Sequence, residues 1–95
     1  MPVGGDIRPP VKIHHVAPVY PRVALEAHLH GLVILQAVIA ENGDVDEVKV
    51  LRGHPLFNQA AVDAVRQWRF TPTLLNSKPV PVVMTVTVAF SLDGH

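Results

Sequence analysis

Residues 55–72 read PLFNQAAVDAVRQWRFTP. At about 3.6 residues per turn, Phe57, Ala60, Ala61, Ala64, Val65 and Trp68 recur at i, i+3, i+4, i+7, i+8 and i+11, forming one continuous apolar stripe. Asn58, Gln59, Asp63, Arg66 and Gln67 fall on the opposite face, where water solvates them. Pro55 suits the first helical position, because its missing N–H would be an orphan there anyway. Pro72 stops the helix, since it cannot donate and disfavours helical geometry at Thr71. The alanines let this helix sit close to whatever it covers, with Trp68 and Phe70 closing the layer at its far end. So narrow a buried face needs a flat apolar partner, and the flanking sequence supplies strands.

Upstream, residues 32–40 are a dense run of β-formers, and Glu41-Asn42-Gly43-Asp44 is a hairpin turn signal. Residues 45–51 then alternate, Val48 and Val50 pointing one way, Glu47 and Lys49 the other. Downstream, residues 74–78 read as a loop and 79–92 as one strand. Val82, Met84, Val86, Val88, Phe90 and Leu92 share one face of it; Val83, Thr85, Thr87, Ala89 and Ser91 share the other. Nearer the N-terminus, Pro21 opens a short amphipathic helix carrying Val23, Ala24, Leu25, Ala27 and Leu29, with Gly31 as its left-handed cap. Residues 1–15, with Gly4, Gly5, Pro9 and Pro10, form an extended arm or linker. Within the arm, Val11 and Ile13 with Lys12 and His14 between and beside them suggest a brief extended segment running to Val16.

The order is short helix, strand, strand, long helix, strand. A hairpin followed by a helical crossover places the last strand beside the first and parallel to the second, in the right-handed sense. The fold class is α+β: a two-layer sandwich with a three-stranded antiparallel or mixed sheet and two helices on one face. It spans residues 16–95 behind the arm.

Bulk properties bound the function. Ninety-five residues, 48% of them hydrophobic, make one compact domain with a modest core. Lys plus Arg equals Asp plus Glu at 8 each, so no field attracts nucleic acid or an anionic membrane. Without cysteine there is neither a disulfide framework nor a thiolate nucleophile. No apolar run approaches the ~18 residues of a spanning helix, and no signal peptide is seen. Met1-Pro2 followed at once by Val3-Gly4-Gly5 reads as the start of an excised piece, so any anchor is expected outside this chain.

Two features bear on partners. Pro79 and Pro81 each remove a ladder donor, so they belong at a sheet edge or strand start. The last strand is therefore expected to be unpaired on its outer side, a template for another extended chain. The outward face of the first strand carries Leu32, Ile34 and Val38 in place of the polar residues of a one-sided sheet. Either the arm (residues 7–16) or a second copy of the domain is expected to cover it.

Tyr20-Pro21, Ala24, Gly31-x-Val33 and Ile39 with Asn42-Gly43-x-Val45 follow one family pattern. So do Ala60-Ala61-x-x-Ala64-Val65-x-x-Trp68-x-Phe70-x-Pro72 and the closing Lys78-Pro79-Val80 with Phe90. Over residues 16–92 the chain resembles the C-terminal domain of the TonB family, energy transducers that span the periplasm of Gram-negative bacteria. The resemblance implies a domain anchored to the inner membrane through a part of the protein outside this chain, which works there with ExbB and ExbD. It implies capture of the TonB box of an outer-membrane transporter by β-strand addition, with force loosening the transporter's plug so that siderophores, cobalamin or similar cargo enter. The box-binding edge it implies is Val82, Val83, Met84, Thr85, Val86, Thr87, Val88, Ala89 and Phe90. It adds a flanking contact at Ala17, Pro18, Val19 and Tyr20, where well-known members carry glutamine at the position of Ala17. Asn76-Ser77 stands where Asn-Gly is usual. Short fragments in this family exchange strands, so a homodimer is open, and similar arms occur in TonB-like modules of sensor peptidases. A structural, dimerisation or sensory module is the alternative reading.

No enzyme, cofactor or metal is expected. No Ser-His-acid pattern, phosphate loop or bracketed carboxylate pair is present. His14-His15 and His28-x-His30 lack the i, i+4 spacing of helical zinc ligands and suit a solvated surface. Asp44, Asp46 and Glu47 suit a soluble hairpin tip.

Overall fold

A computed structural model describes residues 7–92; the readings made on Gly4 and Gly5, and on the last three positions, lie outside the described residues. In chain order the elements are β1 (Ile7–Arg8), β2 (Lys12–His14), α1 (Arg22–Glu26), β3 (Gly31–Ile39), β4 (Val45–Arg52) and α2 (Asn58–Arg66). They continue with β5 (Arg69–Phe70), β6 (Thr73–Leu75), β7 (Lys78–Val80) and β8 (Val82–Phe90).

The main sheet has the order β4-β3-β8, with both pairings antiparallel, so β8 runs parallel to β4 across the central strand. Strand alternation sets the layers. Val33, Leu35, Ala37 and Ile39 of β3 are fully buried on the helix side, joined there by Val86, Val88 and Phe90 of β8. Ala61 and Val65 close this core from α2, with Ala64 buried beside them; each fully buried Val, Leu, Ile or Phe side chain contributes about 1.5–3 kcal/mol. At one end Phe57 stacks on Phe90 with ring centroids 4.5 Å apart, and Tyr20 meets both rings edge-on. The α+β two-layer reading holds.

Several element boundaries differ from the sequence reading. Pro55 is not the first residue of the helix: residues 55–57 form a turn in which Phe57 and Asn58 donate to the His54 carbonyl, and Asn58 Oδ1 accepts from His54 N–H. The helix also ends before Trp68. Phe70 donates its N–H to the Gly43 carbonyl at 2.9 Å, and Arg69 pairs with the Asp44 carboxylate at 3.1 Å. Residues 69–70 are thereby drawn into β5, between the hairpin tip and the arm. At α1, Val23, Leu25 and Ala27 are exposed and only Ala24 is buried. The left-handed residue after α1 is His28, with φ 56°, while Gly31 starts β3. A Cβ at Gly31 would lie 3.2 Å from the Phe57 ring, so that position is set by packing.

The expected loop over residues 74–78 is a hairpin. Asn76 and Ser77 both take positive φ, turning β6 into β7. The single strand expected over 79–92 is thus two, broken at Pro81, which cannot donate to a ladder. The arm does not lie on the outward face of β3. It pairs instead with the segment after α2, β1 with β6 and β2 with β5. Leu32 stays 58% exposed.

Candidate functional site: a free strand edge

Strand β8 pairs with β3 along its whole length, from Gly31↔Phe90 to Ile39↔Val82. Among the described residues no strand pairs with its other side. Alternate residues of an edge strand aim N–H and C=O groups outward, and β8 offers such a row over 9 residues without a charge or an internal proline. Its outer-face side chains are accessible, Val83 being 57% exposed, whereas Val86, Val88 and Phe90 anchor the strand in the core. A strand held this firmly from one face is a rigid template on its free side.

The edge is bordered by a groove of about 360 Å³ between β8 (Met84, Thr85, Val86, Thr87) and a wall of Pro10, Lys12, Trp68 and Phe70. Trp68 organises the wall. Its indole N–H donates to the Val16 carbonyl at 2.8 Å, and the Lys12 ammonium lies 3.6 Å from its ring centroid. Lys12 also donates to Nδ1 of His15, whose ring tilts over Trp68 at 5.1 Å. Two bonds between residues 11 and 71 clamp the arm beside this wall: Val11 N–H to Thr71 Oγ1 at 2.9 Å and Thr71 N–H to the Val11 carbonyl at 2.8 Å.

The flanking segment named from the sequence divides in two. Tyr20 belongs to the core: its ring touches Phe57 and Phe90, and its hydroxyl donates to the Leu29 carbonyl. Ala17 and Val19 point elsewhere, lining a second groove of about 360 Å³ against α2, with Leu56 and Ala60 in its floor and Gln59, Asp63 and Gln67 at its side. Pro18 is half-buried between them. The Tyr20–Phe90 ring contact ties residues 17–20 to the core side of β8, while Ala17 and Val19 line a different groove. The arm wall was missed from sequence. Its Lys12–Trp68 contact joins distant positions, and nothing local marks it.

The acidic tip is a turn, as its residues suggested: Asn42 Oδ1 accepts from Asp44 N–H, and Asp44 faces Arg69. Among the described residues no group of three His, Cys, Asp or Glu side chains is placed to hold a metal ion. No described helix is long and apolar enough to cross a membrane.

Comparison with known proteins fits this geometry. The family described as "Gram-negative bacterial TonB protein C-terminal" matches residues 16–92. Protein TonB of Vibrio cholerae is 28% identical over 92% of this chain and 36% of its own length. Protein tonB2 of Pseudomonas aeruginosa is 31% identical over 85% of this chain and 31% of its own length. The chain thus spans about a third of the curated relatives it matches. Among solved structures, the solution structure of the Pseudomonas aeruginosa TonB C-terminal domain superposes with a TM-score of 0.75 at 27% identity, covering 90% of this chain and 89% of that one. The TonB2 protein of Vibrio anguillarum gives 0.64 at 29% identity, covering 86% and 80%.

Proposed function

This chain belongs to the family of Gram-negative TonB C-terminal domains, and on that premise we propose that it captures an outer-membrane transporter through the free edge of β8. TonB is a non-enzymatic energy transducer, so the function lies in binding and in the transmission of force. The transporter's TonB box adds as a strand alongside Val82–Phe90, its backbone supplying the hydrogen bonds that β8 lacks on that side. The flanking contact that the family resemblance implies falls at Ala17 and Val19, which line the separate groove against α2, Val19 being 79% exposed. Through a part of the protein beyond this chain, the domain is anchored to the inner membrane and works with ExbB and ExbD in the periplasm. Force derived from the proton-motive force passes through β8 to the transporter, admitting siderophores, cobalamin or similar cargo.

The observation that carries this reading is a 9-residue, charge-free strand whose outer side has no partner strand among the described residues. Titrating the isotope-labelled chain with a TonB-box peptide tests it. Amide shifts concentrated in β8 and near residues 16–20 are expected. Unchanged β8 amides at millimolar peptide, with the chain tumbling as a monomer, would overturn it.

A second reading rests on the outward sheet face, where Leu32 and Val83 are exposed and Ile34 and Val38 half-buried. Two copies of the domain meeting there would make a dimerisation or sensory module. Replacing Ile34 and Val38 by Thr then disperses a dimer seen in sedimentation, while leaving peptide binding at the edge intact.

A further inference from the structure

Of the described residues that line the edge groove, Lys12 alone carries a charge. Its ammonium has three donors; one is directed at His15 Nδ1, and the group rests over the Trp68 ring. No carboxylate pairs with it among the described residues, since the ion pairs formed there are Arg22–Glu26 and Arg69–Asp44. A cation is thus held at the mouth of a groove whose other walls are neutral. The element holding it, β2, is fixed in place by its pairing with β5 and by the bonds between residues 11 and 71.

We propose that the arm is part of the peptide site and that Lys12 selects an acidic side chain on the strand that adds to β8. This rests on the strand-addition reading above and names the chemistry of its ligand. Every second side chain of an added strand faces the helix-side layer, where Lys12, Trp68 and Phe70 stand; the others face the open side beside Val83 and Thr85. The preferred ligand is therefore an extended peptide with one aspartate or glutamate among its inward-facing positions and small or apolar residues at the others. An anion there completes the ammonium's donor set without displacing it from the indole. The family match covers residues 16–92, so Trp68 and Phe70 lie within the matched residues, while Pro10 and Lys12 lie outside them and act as a selectivity element carried by the arm.

The test uses the full chain and three synthetic peptides as long as β8, 9 residues each. All alternate Val and Thr and differ at one central position, which is Asp, Asn or Lys. Affinities are read from backbone amide shifts. The Asp peptide is expected to bind roughly two- to fivefold more tightly than the Asn peptide, the span of an exposed ion pair, and the Lys peptide more weakly than either. Raising salt to about 1 M should erase the order. Lys12→Arg should keep the preference, Lys12→Gln should flatten it, and Lys12→Glu should invert it. Amide shifts of residues 11–16 in each variant report whether the arm stays clamped. Equal binding of all three peptides at the β8 edge, or a preference unchanged in Lys12→Gln with the arm in place, overturns the role of Lys12 and leaves strand addition standing. Absence of β8 shifts with every peptide overturns strand addition itself, and the role of Lys12 with it.

Discussion

The sheet β4-β3-β8 and the ribbon of β5, β6 and β7 with the arm are built by different rules. In the sheet, β3 and β8 are 9 residues each and β4 is 8, and their inner faces share one core with α2. In the ribbon no strand exceeds 3 residues, and Phe70 and Thr73 are its buried side chains. Hydrophobic alternation specifies the first region. The second exists because long-range backbone bonds recruit segments that prolines have cut short. Stability should therefore reside in the sheet, and adaptability around the edge groove in the ribbon and arm.

The sharpest way to break this contrast is a pair of truncations. Leu35→Ala, at a fully buried position of β3, should cost about 2–5 kcal/mol in urea unfolding. Leu75→Ala in β6 should cost under about 1 kcal/mol, because that side chain is 37% exposed. Equal costs would mean that the ribbon shares the core's cooperativity. Gly43→Ala comes next, at the junction of the two regions. Gly43 has φ 93°, and an added Cβ would lie 1.9 Å from the Phe70 carbonyl oxygen. The hairpin tip and β5 must then separate, with an expected loss of about 1–3 kcal/mol and faster amide exchange at Phe70. A Gly43→Ala chain as stable as the parent would show that the junction is dispensable. The smallest effect has the opposite sign. Thr73 is buried in β6, and its hydroxyl oxygen has no hydrogen-bond partner among the described residues. Thr73→Val should raise stability by about 1 kcal/mol in thermal unfolding, since the isostere removes an unmet polar group.

The same contrast governs what could be read from the chain alone. The faces of β3 and β8 follow from strict alternation, and the stripe Phe57, Ala61, Ala64 and Val65 follows from helical spacing, because burial in those elements is decided locally. The end of α2 was not legible. Nothing near Trp68, Arg69 and Phe70 announces that the Gly43 carbonyl and β2 will claim their backbone. For the same reason residues 74–78 read as a loop: a positive φ at Asn76 and Ser77 carries no signal as strong as a glycine. Of the candidate site, the free edge was legible from Pro79, Pro81 and the run after them. Its second wall was not, because the bond from Trp68 to Val16 spans 52 positions.

The complete register between β3 and β8 has a mechanical consequence. Antiparallel ladder bonds lie perpendicular to the strands. A tug along the axis of β8 therefore strains all its rungs together, in shear, whereas a tug across the sheet would peel them off one by one. A chain seated on the free side of β8 and pulled along its length meets the same geometry. Such a coupling holds under axial load and comes away easily under lateral load, so the direction of pull, more than the affinity, decides how long the link survives.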